Sequence, residues 1–287
     1  METCDLHTHT TASDGSDSPK DLVKLATEVG LKAISITDHD TIEGLDEAIS
    51  MGNALGINVI PGVELSVIAP KGNMHILGYF IRQDSEHLKA TLGIVQQARA
   101  NRNPKIIKKL NELGIPISLE MLEQLSKGGQ IGRPHFARAL VELGAVKNVQ
   151  EAFEKYLKRG AKAYVPKSVL SPEEAIETIH MAGGLAVLAH PFSLKCENIT
   201  ELKGIVEGLV ERGLDGMECY YSEHSPSFTQ SLIELANSFG LVVTGGTDYH
   251  GKAKPYIHLG RGKGNLSIPY DCVKDLNNRL EEKAFHA

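Results

Sequence analysis

The sequence predicts an α/β fold, and two observations carry that expectation. Short apolar runs rich in β-branched residues alternate with segments of helical spacing that are bounded by caps and glycines. The apolar runs also end in the same way, on His, Asp or Glu. At 287 residues the chain is long enough for one enlarged α/β domain, or for a domain that carries an insertion.

The elements follow in order. Cys4-Asp5-Leu6-His7-Thr8-His9-Thr10 begins as a strand and is followed by Ser13-Asp14-Gly15. Two histidines separated by one residue of a strand leave it on the same face, where both can grip one cation. Ser18-Pro19 supplies an N-cap and a first-turn proline, Leu22, Val23, Leu25, Ala26 and Val29 give helical spacing, and Gly30 ends the helix. Ala33–Thr37 is a strand ending on Asp38-His39-Asp40, and a helix is predicted from about Ile42 to Leu55. The strand Asn58–Val63 ends on Glu64, and a turn at Pro70-Lys71-Gly72-Asn73 returns the chain through Met74–Tyr79 as a hairpin partner.

From roughly Ser85 to Val165 the strand signals stop. Pro104 is expected to interrupt an otherwise long helix, and Gly114-Ile115-Pro116, Gly128-Gly129 and Gly144 separate shorter ones. Between Arg99 and Val165 there are 13 Lys and Arg against 6 Asp and Glu, an excess of +7 in a chain of net charge −6, which leaves −13 elsewhere. This reads as a basic helical module covering one end of the main domain, although a solvated helical face has similar charges. The expected organisation is therefore 1–84 and 166–287 as the main domain and 85–165 as an insertion.

Strand and helix alternation then resumes. Ser171-Pro172-Glu173-Glu174 is a helix start, Gly183-Gly184 ends that helix, and Leu185–Ala189 is a buried strand ending on His190-Pro191. Two further helices flank Gly216–Tyr220, and Leu241–Gly246 leads to Thr247-Asp248-Tyr249-His250.

Composition excludes several classes. Hydrophobic content of 41% and charged content of 23% are those of an ordinary globular protein. No apolar run approaches the ~20 residues that span a bilayer, and the N-terminus lacks the pattern of a signal peptide, so a cytoplasmic protein without a membrane role is expected. Cys4, Cys196, Cys219 and Cys272 are scattered and form no C-x-x-C pair, which points to reduced thiols. The net charge of −6 argues against an extended nucleic-acid-binding surface.

The strand ends carry the chemistry. In a strand-helix barrel the loops at the strand C-terminal ends converge on one face. His7, His9, His39, Glu64, His190, Asp248 and His250 would meet there, with Asp14 just after the first strand. His75 lies early in its strand, but an antiparallel return can bring it beside Glu64. Singly, each is as easily a surface polar residue or a satisfied core histidine; together they repeat one coincidence at six strand ends. Nine N and O donors exceed the need of one ion and would serve two or three. Imidazole and carboxylate without thiolate suit Zn²⁺, Mn²⁺ or Fe²⁺.

The motifs Asp5-Leu6-His7-Thr8-His9, Thr37-Asp38-His39, Gly62-Val63-Glu64, Ala189-His190-Pro191 and Thr247-Asp248-Tyr249-His250 resemble, in order, those of the PHP family, named for polymerase and histidinol phosphatase. The insert, with Ile131-Gly132-Arg133-Pro134-His135-Phe136, is similar to that of its bacterial stand-alone branch, described as nucleotide phosphoesterases and short-RNA 5′-to-3′ exonucleases. The resemblance implies a distorted (β/α)7 TIM-like barrel with a trinuclear site. It places one ion on His7, His9, Glu64 and Asp248, a second on Glu64 as bridge with His75 and His190, and a third on Asp14, His39 and His250. Some relatives have histidine where this chain has Asp14.

The expected chemistry is metal-dependent phosphoester hydrolysis by a metal-bound hydroxide bridged with Glu64. Substrates would be phosphorylated small molecules, nucleotides or short oligonucleotides, such as 3′,5′-bisphosphate nucleotides or 5′-phosphorylated RNA ends. Arg133 is the candidate for a forked grip on phosphate, with salt bridging as its structural alternative, and His135 for a hydrogen bond or a proton to the leaving oxygen. Two other classes compete: an amidohydrolase cleaving amides or lactones, and a non-catalytic metal-stabilised domain. The amidohydrolase reading is weakened because the apolar strands contain no lysine to bridge two metals, and the non-catalytic one because no ligand position is lost. Arg99, Arg102 and Lys167 are left unassigned as substrate contacts, while His87, His180, His224, His258 and His286 read as ordinary polar residues.

Overall fold

The computed structural model describes residues 2–167 and 169–286; the side chain of His286 lies outside the described residues. Seven strands form one sheet in sequence order: β1 (Cys4–Thr8), β2 (Ala33–Ile36), β3 (Asn58–Val67), β4 (Met74–Tyr79), β5 (Leu185–Leu188), β6 (Gly216–Tyr221) and β7 (Val242–Gly246). All neighbouring pairs are parallel except β3 with β4 and β4 with β5, so β4 alone is reversed. The sheet curls into a nearly closed barrel. At the seam, Asp248 N–H donates to His7 O and His9 N–H to Tyr249 O, both at 2.9 Å. A Cβ on Gly246 would lie 2.1 Å from the Cβ of His7, so β7 approaches β1 this closely because position 246 has no side chain.

Strand alternation sorts the side chains into two cores. Outward-facing Ile34, Ile36, Val63, Leu65, Ile76, Leu188 and Met217 pack against the surrounding helices. These include α1 (Pro19–Glu28), α2 (Leu45–Leu55), α7 (Pro172–Met181), α8 (Ile199–Val210) and α9 (Pro226–Ser238). Inward-facing Cys4, Leu6, Ile60, Leu77, Tyr79, Val187 and Val242 form a second core, which Cys272, Val273 and Leu276 of α10 (Asp271–His286) plug. The strand C-terminal ends are thereby left for polar residues. The predicted α/β class and barrel topology are those observed.

Residues between β4 and α7 form α3 (Glu86–Glu112), α4 (Leu119–Ser126), α5 (Arg133–Glu142) and α6 (Val149–Ala152). Ile106, Leu110, Leu122, Phe136, Leu140 and Leu157 make a separate core here, whereas Leu88, Leu92 and Val95 of the same α3 pack into the outer core of the barrel.

Three boundaries differ from expectation. Pro104 does not interrupt the helix: α3 runs through it. An interior proline costs about 3 kcal/mol by losing one hydrogen bond and crowding the carbonyl four residues back, but both halves of α3 are anchored, one in each core. Glu64 does not end its strand, because β3 leaves β2 after Pro61 and continues from Gly62 to Val67 against β4. And α2 starts at Leu45, not Ile42, after a turn closed by Leu45 N–H to Ile42 O at 3.1 Å.

Candidate metal centre

Each strand delivers its side chain to the same rim. A register shift in β1 between Asp5 and Thr8 re-aims the strand, so Leu6 remains in the inner core while His7 and His9 turn toward Glu64. On β3, Glu64 faces inward with Ile60, two pleats further along. His75 pairs with Ser66 across the antiparallel ladder, which makes it the diagonal neighbour of Glu64. Because β4 is reversed, its beginning lies at the rim where the parallel strands end. That answers the difficulty that His75 comes early in its strand.

Glu64 is the centre of the arrangement. Its Oε1 lies 2.7 Å from His75 Nδ1 and 2.9 Å from His190 Nε2. Its Oε2 lies 3.3 Å from His7 Nε2, 3.2 Å from His9 Nε2 and 3.0 Å from His39 Nδ1. The two oxygens thus serve different sets of imidazoles, as a bridging carboxylate does. Asp248 Oδ1 is 3.2 Å from His9 Nε2, and Asp14 Oδ1 is 3.3 Å from His250 Nε2. His39 turns its other nitrogen toward Asp14 Oδ2 at 3.9 Å. All nine residues singled out in the sequence fall within four overlapping groups: His9, Asp14, His39 and His250; His7, Glu64 and His190; His7, His9 and Asp248; and His39, Glu64 and His75.

The residues fit divalent cations. His7 Nε2, His9 Nε2, His39 Nδ1 and Glu64 Oε2 are buried without a hydrogen-bond partner. Leaving such atoms unsatisfied is costly, and tetrahedral donors about 2.05 Å from one ion lie about 3.3 Å apart, close to the separations seen. The outer ring nitrogens are held elsewhere. His7 Nδ1 donates to Glu218 Oε1 (3.0 Å), His250 Nδ1 to the Asp248 carbonyl (2.8 Å), and His190 Nδ1 meets Ser193 Oγ (2.7 Å). This fixes the rings with Nε2 toward the centre.

Electrostatics agrees with a cation-hungry cluster. Burial opposes ionisation of Glu64, but His39, His75 and His7 outweigh it and hold the carboxyl well below its usual range. Asp14 is likewise held low against burial by His250 and His39. Burial moves His75 and His250 the other way, down to about 4, so their pull on Glu64 and Asp14 operates only when those rings are protonated, and at neutral pH they have the neutral form that metal binding requires. The backbone is strained here as well: Asp40, His190 and Asp248 have φ of 52°, 26° and 58°, three non-glycine residues in the left-handed region.

The PHP domain family profile matches residues 5–169, more than half of the chain. The chain belongs to the PHP domain family. It is 39% identical over 264 residues to the 5′-3′ exoribonuclease Rnm of Escherichia coli, covering 90% of this chain and 88% of that protein. It is 32% identical over 281 residues to the 3′,5′-nucleoside bisphosphate phosphatase of Chromobacterium violaceum, covering 98% of each. The crystal structure of a candidate metal-dependent phosphoesterase from Bifidobacterium adolescentis superposes with a TM-score of 0.86 at 29% identity, over 97% of this chain and 96% of that one. With this kinship and this fold, the PHP chain is a metal-dependent phosphoesterase.

Around the PHP centre, the unassigned cations gather on one carboxylate. Arg99 pairs with Asp40 Oδ2, Lys167 Nζ lies 3.2 Å from the same oxygen, and Gln96 and Gln130 donate to the Asp40 carbonyl. Arg102 and Asn103 adjoin. Burial, with Arg99 and Arg133 nearby, pushes Arg102 down to about 9; burial pushes Lys167 down to about 7 although Asp40 opposes it. Arg133 donates to Val165 O (3.1 Å) with its guanidinium 5.0 Å from the Tyr164 ring centroid, so its anchor is a carbonyl and a ring rather than a salt bridge, while its buried Nε lacks a partner. His135 is buried, accepts from Gly132 N–H at Nδ1 (3.0 Å), and is lowered chiefly by burial.

Sequence reasoning missed Glu218, whose carboxylate holds both His7 and, through Oε2, the N–H of His190 (2.7 Å). The available signal was an acid at an inward position of the apolar strand Gly216–Tyr220, where burial demands partners. Lys254 and Tyr221 were also missed; both hold Asp248 Oδ2, at 2.6 and 2.9 Å, leaving Oδ1 for the centre. Of the other histidines, His180 pairs with Asp215 (2.8 Å) and His224 with the Cys219 carbonyl (2.8 Å), both away from the centre.

Proposed function

We propose that this PHP phosphoesterase acts on nucleotides or short oligonucleotides, such as 3′,5′-bisphosphate nucleotides or 5′-phosphorylated RNA ends, with two or three divalent cations drawn from Mn, Zn and Fe. The observation that carries the substrate reading is the surplus of buried positive charge beside His39: Arg99, Arg102 and Lys167 crowd around Asp40, with Arg133 close enough to depress Arg102. Buried cations with too few anions make a place that a phosphorylated substrate completes. Relatives named for RNA and for nucleoside bisphosphates support the same reading.

His7, His9, Glu64 and Asp248 would hold one cation, Glu64, His75 and His190 a second, and Asp14, His39 and His250 a third. Bound there, the cations supply an activated water at neutral pH and neutralise charge on the phosphoryl oxygens. The chain's own residues do the rest. Arg133, helped by Arg99 and Lys167, orients the phosphate. His135, whose Nδ1 accepts the Gly132 N–H, offers its Nε2–H as a hydrogen bond to the leaving oxygen. Residues 85–165 act as the module that closes over the substrate, since Pro134 and Val149 share a cavity of about 870 Å³ with Asp14 and His250. We take the cytoplasm as the compartment, in keeping with free thiols at Cys4, Cys196, Cys219 and Cys272.

The test is release of inorganic phosphate or mononucleotide from nucleoside 3′,5′-bisphosphates and 5′-phosphorylated oligoribonucleotides, with Mn²⁺ and with chelator. Metal-dependent release is expected. Absence of metal-dependent turnover on every nucleotide or oligonucleotide phosphoester would overturn the proposal.

A further inference from the structure

Residues 250–257 carry the chain from His250 to the cavity wall, and each step of that path is pinned. Gly251–Ala253 form a short 3-10 turn. Lys254 is tied to Asp248 Oδ2 at 2.6 Å, and Ile257 is buried with its N–H donating to the Lys254 carbonyl at 3.0 Å. That bond closes a β-turn over Lys254-Pro255-Tyr256-Ile257, with the fixed φ of proline at its second position. Tyr256 is therefore held at a rigid tip between a buried ion pair and a buried isoleucine.

Its ring is unused by the fold. Tyr256 is 62% exposed, the one exposed tyrosine of the eight in the chain, and its hydroxyl has no hydrogen-bond partner among the described residues. The ring lines the same cavity of about 870 Å³ as Asp14, His39, His75 and His250, to which the insert contributes Phe153. Small-molecule sites run from about 300 to 1,000 Å³, so a cavity of this size holds more than a phosphate group.

We infer that Tyr256 is the platform on which a nucleobase of the substrate stacks, with Phe153 forming the insert's share of the same base pocket. The inference rests on the phosphoester reading above and adds recognition of the base to it. Pre-organisation suits the role, because the pinned backbone of the turn leaves only the side-chain torsions of Tyr256 to be ordered when a base covers its ring. Every base has a π face, so such a platform grips any nucleotide without reading its identity. Lys147, Asn148 and Gln150 also line the cavity and offer polar groups to the rest of the nucleotide.

The experiment uses the full, metal-loaded chain and its Tyr256→Ala and Tyr256→Phe variants. Values of kcat and KM are measured on adenosine 3′,5′-bisphosphate and on 1-O-methylribose 3,5-bisphosphate, which lacks the base. Stacking is read separately from quenching of 2-aminopurine riboside 5′-monophosphate fluorescence on binding. For Tyr256→Ala, KM on the adenosine compound should rise about tenfold with kcat little changed, the size of one lost stacked base. The base-free compound should be unaffected, quenching should be lost, and Tyr256→Phe should behave as wild type. Equal KM values for all three proteins, or an equal rise on the base-free compound, would overturn the inference. If wild type hydrolyses neither compound, nucleoside bisphosphates are excluded as its substrates; the quenching comparison still decides the platform, because equal quenching by wild type and Tyr256→Ala rules it out.

Discussion

Replacement of Glu218 probes how the site is held without touching a proposed ligand. The residue is fully buried on β6, accepts from His7 Nδ1 at 3.0 Å and from His190 N–H at 2.7 Å, and so positions one ring directly and another through its backbone. Glu218→Ala strands both donors. A buried donor left unsatisfied costs about 1–3 kcal/mol, and loss of the outer partner of a metal-binding imidazole typically lowers metal affinity by about 10–100-fold, equivalent to about 1.4–2.8 kcal/mol. Glu218→Gln keeps the shape and one acceptor oxygen, so its loss should fall between wild type and Ala. The assay is competition for Zn²⁺ or Mn²⁺ between metal-stripped protein and a fluorescent chelator, with urea unfolding of the stripped protein to separate stability from affinity. A folded Glu218→Ala variant with wild-type metal affinity would refute the positioning argument.

Two further outcomes follow from the packing. In Gly246→Ala the new methyl meets the Cβ of His7 at 2.1 Å, so β7 must move from β1; a loss of about 1–3 kcal/mol is expected, read as a lower melting temperature with weaker metal binding, and an unchanged melting temperature would contradict it. Asp215 is held below its usual range, against burial, by His180, Lys283 and the Ala186 N–H. A carboxyl whose folded pKa is depressed contributes stability that is full above the unfolded value, near 3.8, and is lost as pH falls through the folded value. Urea unfolding of metal-stripped wild type and Asp215→Asn should therefore differ by about 1–2 kcal/mol at pH 7, a charge-assisted bond discounted because Lys283 is partly exposed, and converge below pH 4. A gap independent of pH would contradict the assignment.

The cluster of nine residues was legible because it obeys topology: polar residues placed after apolar strands must meet at one rim. His7, His9, His39, His190, Asp248 and His250 all follow that rule. Glu64 was found by the same reading although its strand continues, since the change of partner from β2 to β4 depends on the hairpin rather than on local sequence. Glu218 escaped because a single acid inside a strand has no pattern around it. Pro104 misled because local propensity favours a break, whereas tertiary packing at both ends of α3 sustains the helix. The grouping of Arg99, Arg102 and Lys167 on Asp40 was hidden for a different reason. The spacing of three between Arg99 and Arg102 equally describes a solvated helical face, Lys167 lies far away in sequence, and only the tertiary packing of α3 buries the two arginines.

The cluster around Glu64 is expected to act as a metal centre that hydrolyses phosphate esters. The direct measurement titrates metal-stripped protein with Mn²⁺, Zn²⁺ or Fe²⁺ and records bound metal per chain and phosphoester turnover on the same samples. Turnover should be absent without metal and rise with occupancy to two or three ions, and His9→Ala should stay folded while losing both. Full turnover by the stripped protein, or a folded wild type that binds no metal, would contradict the account.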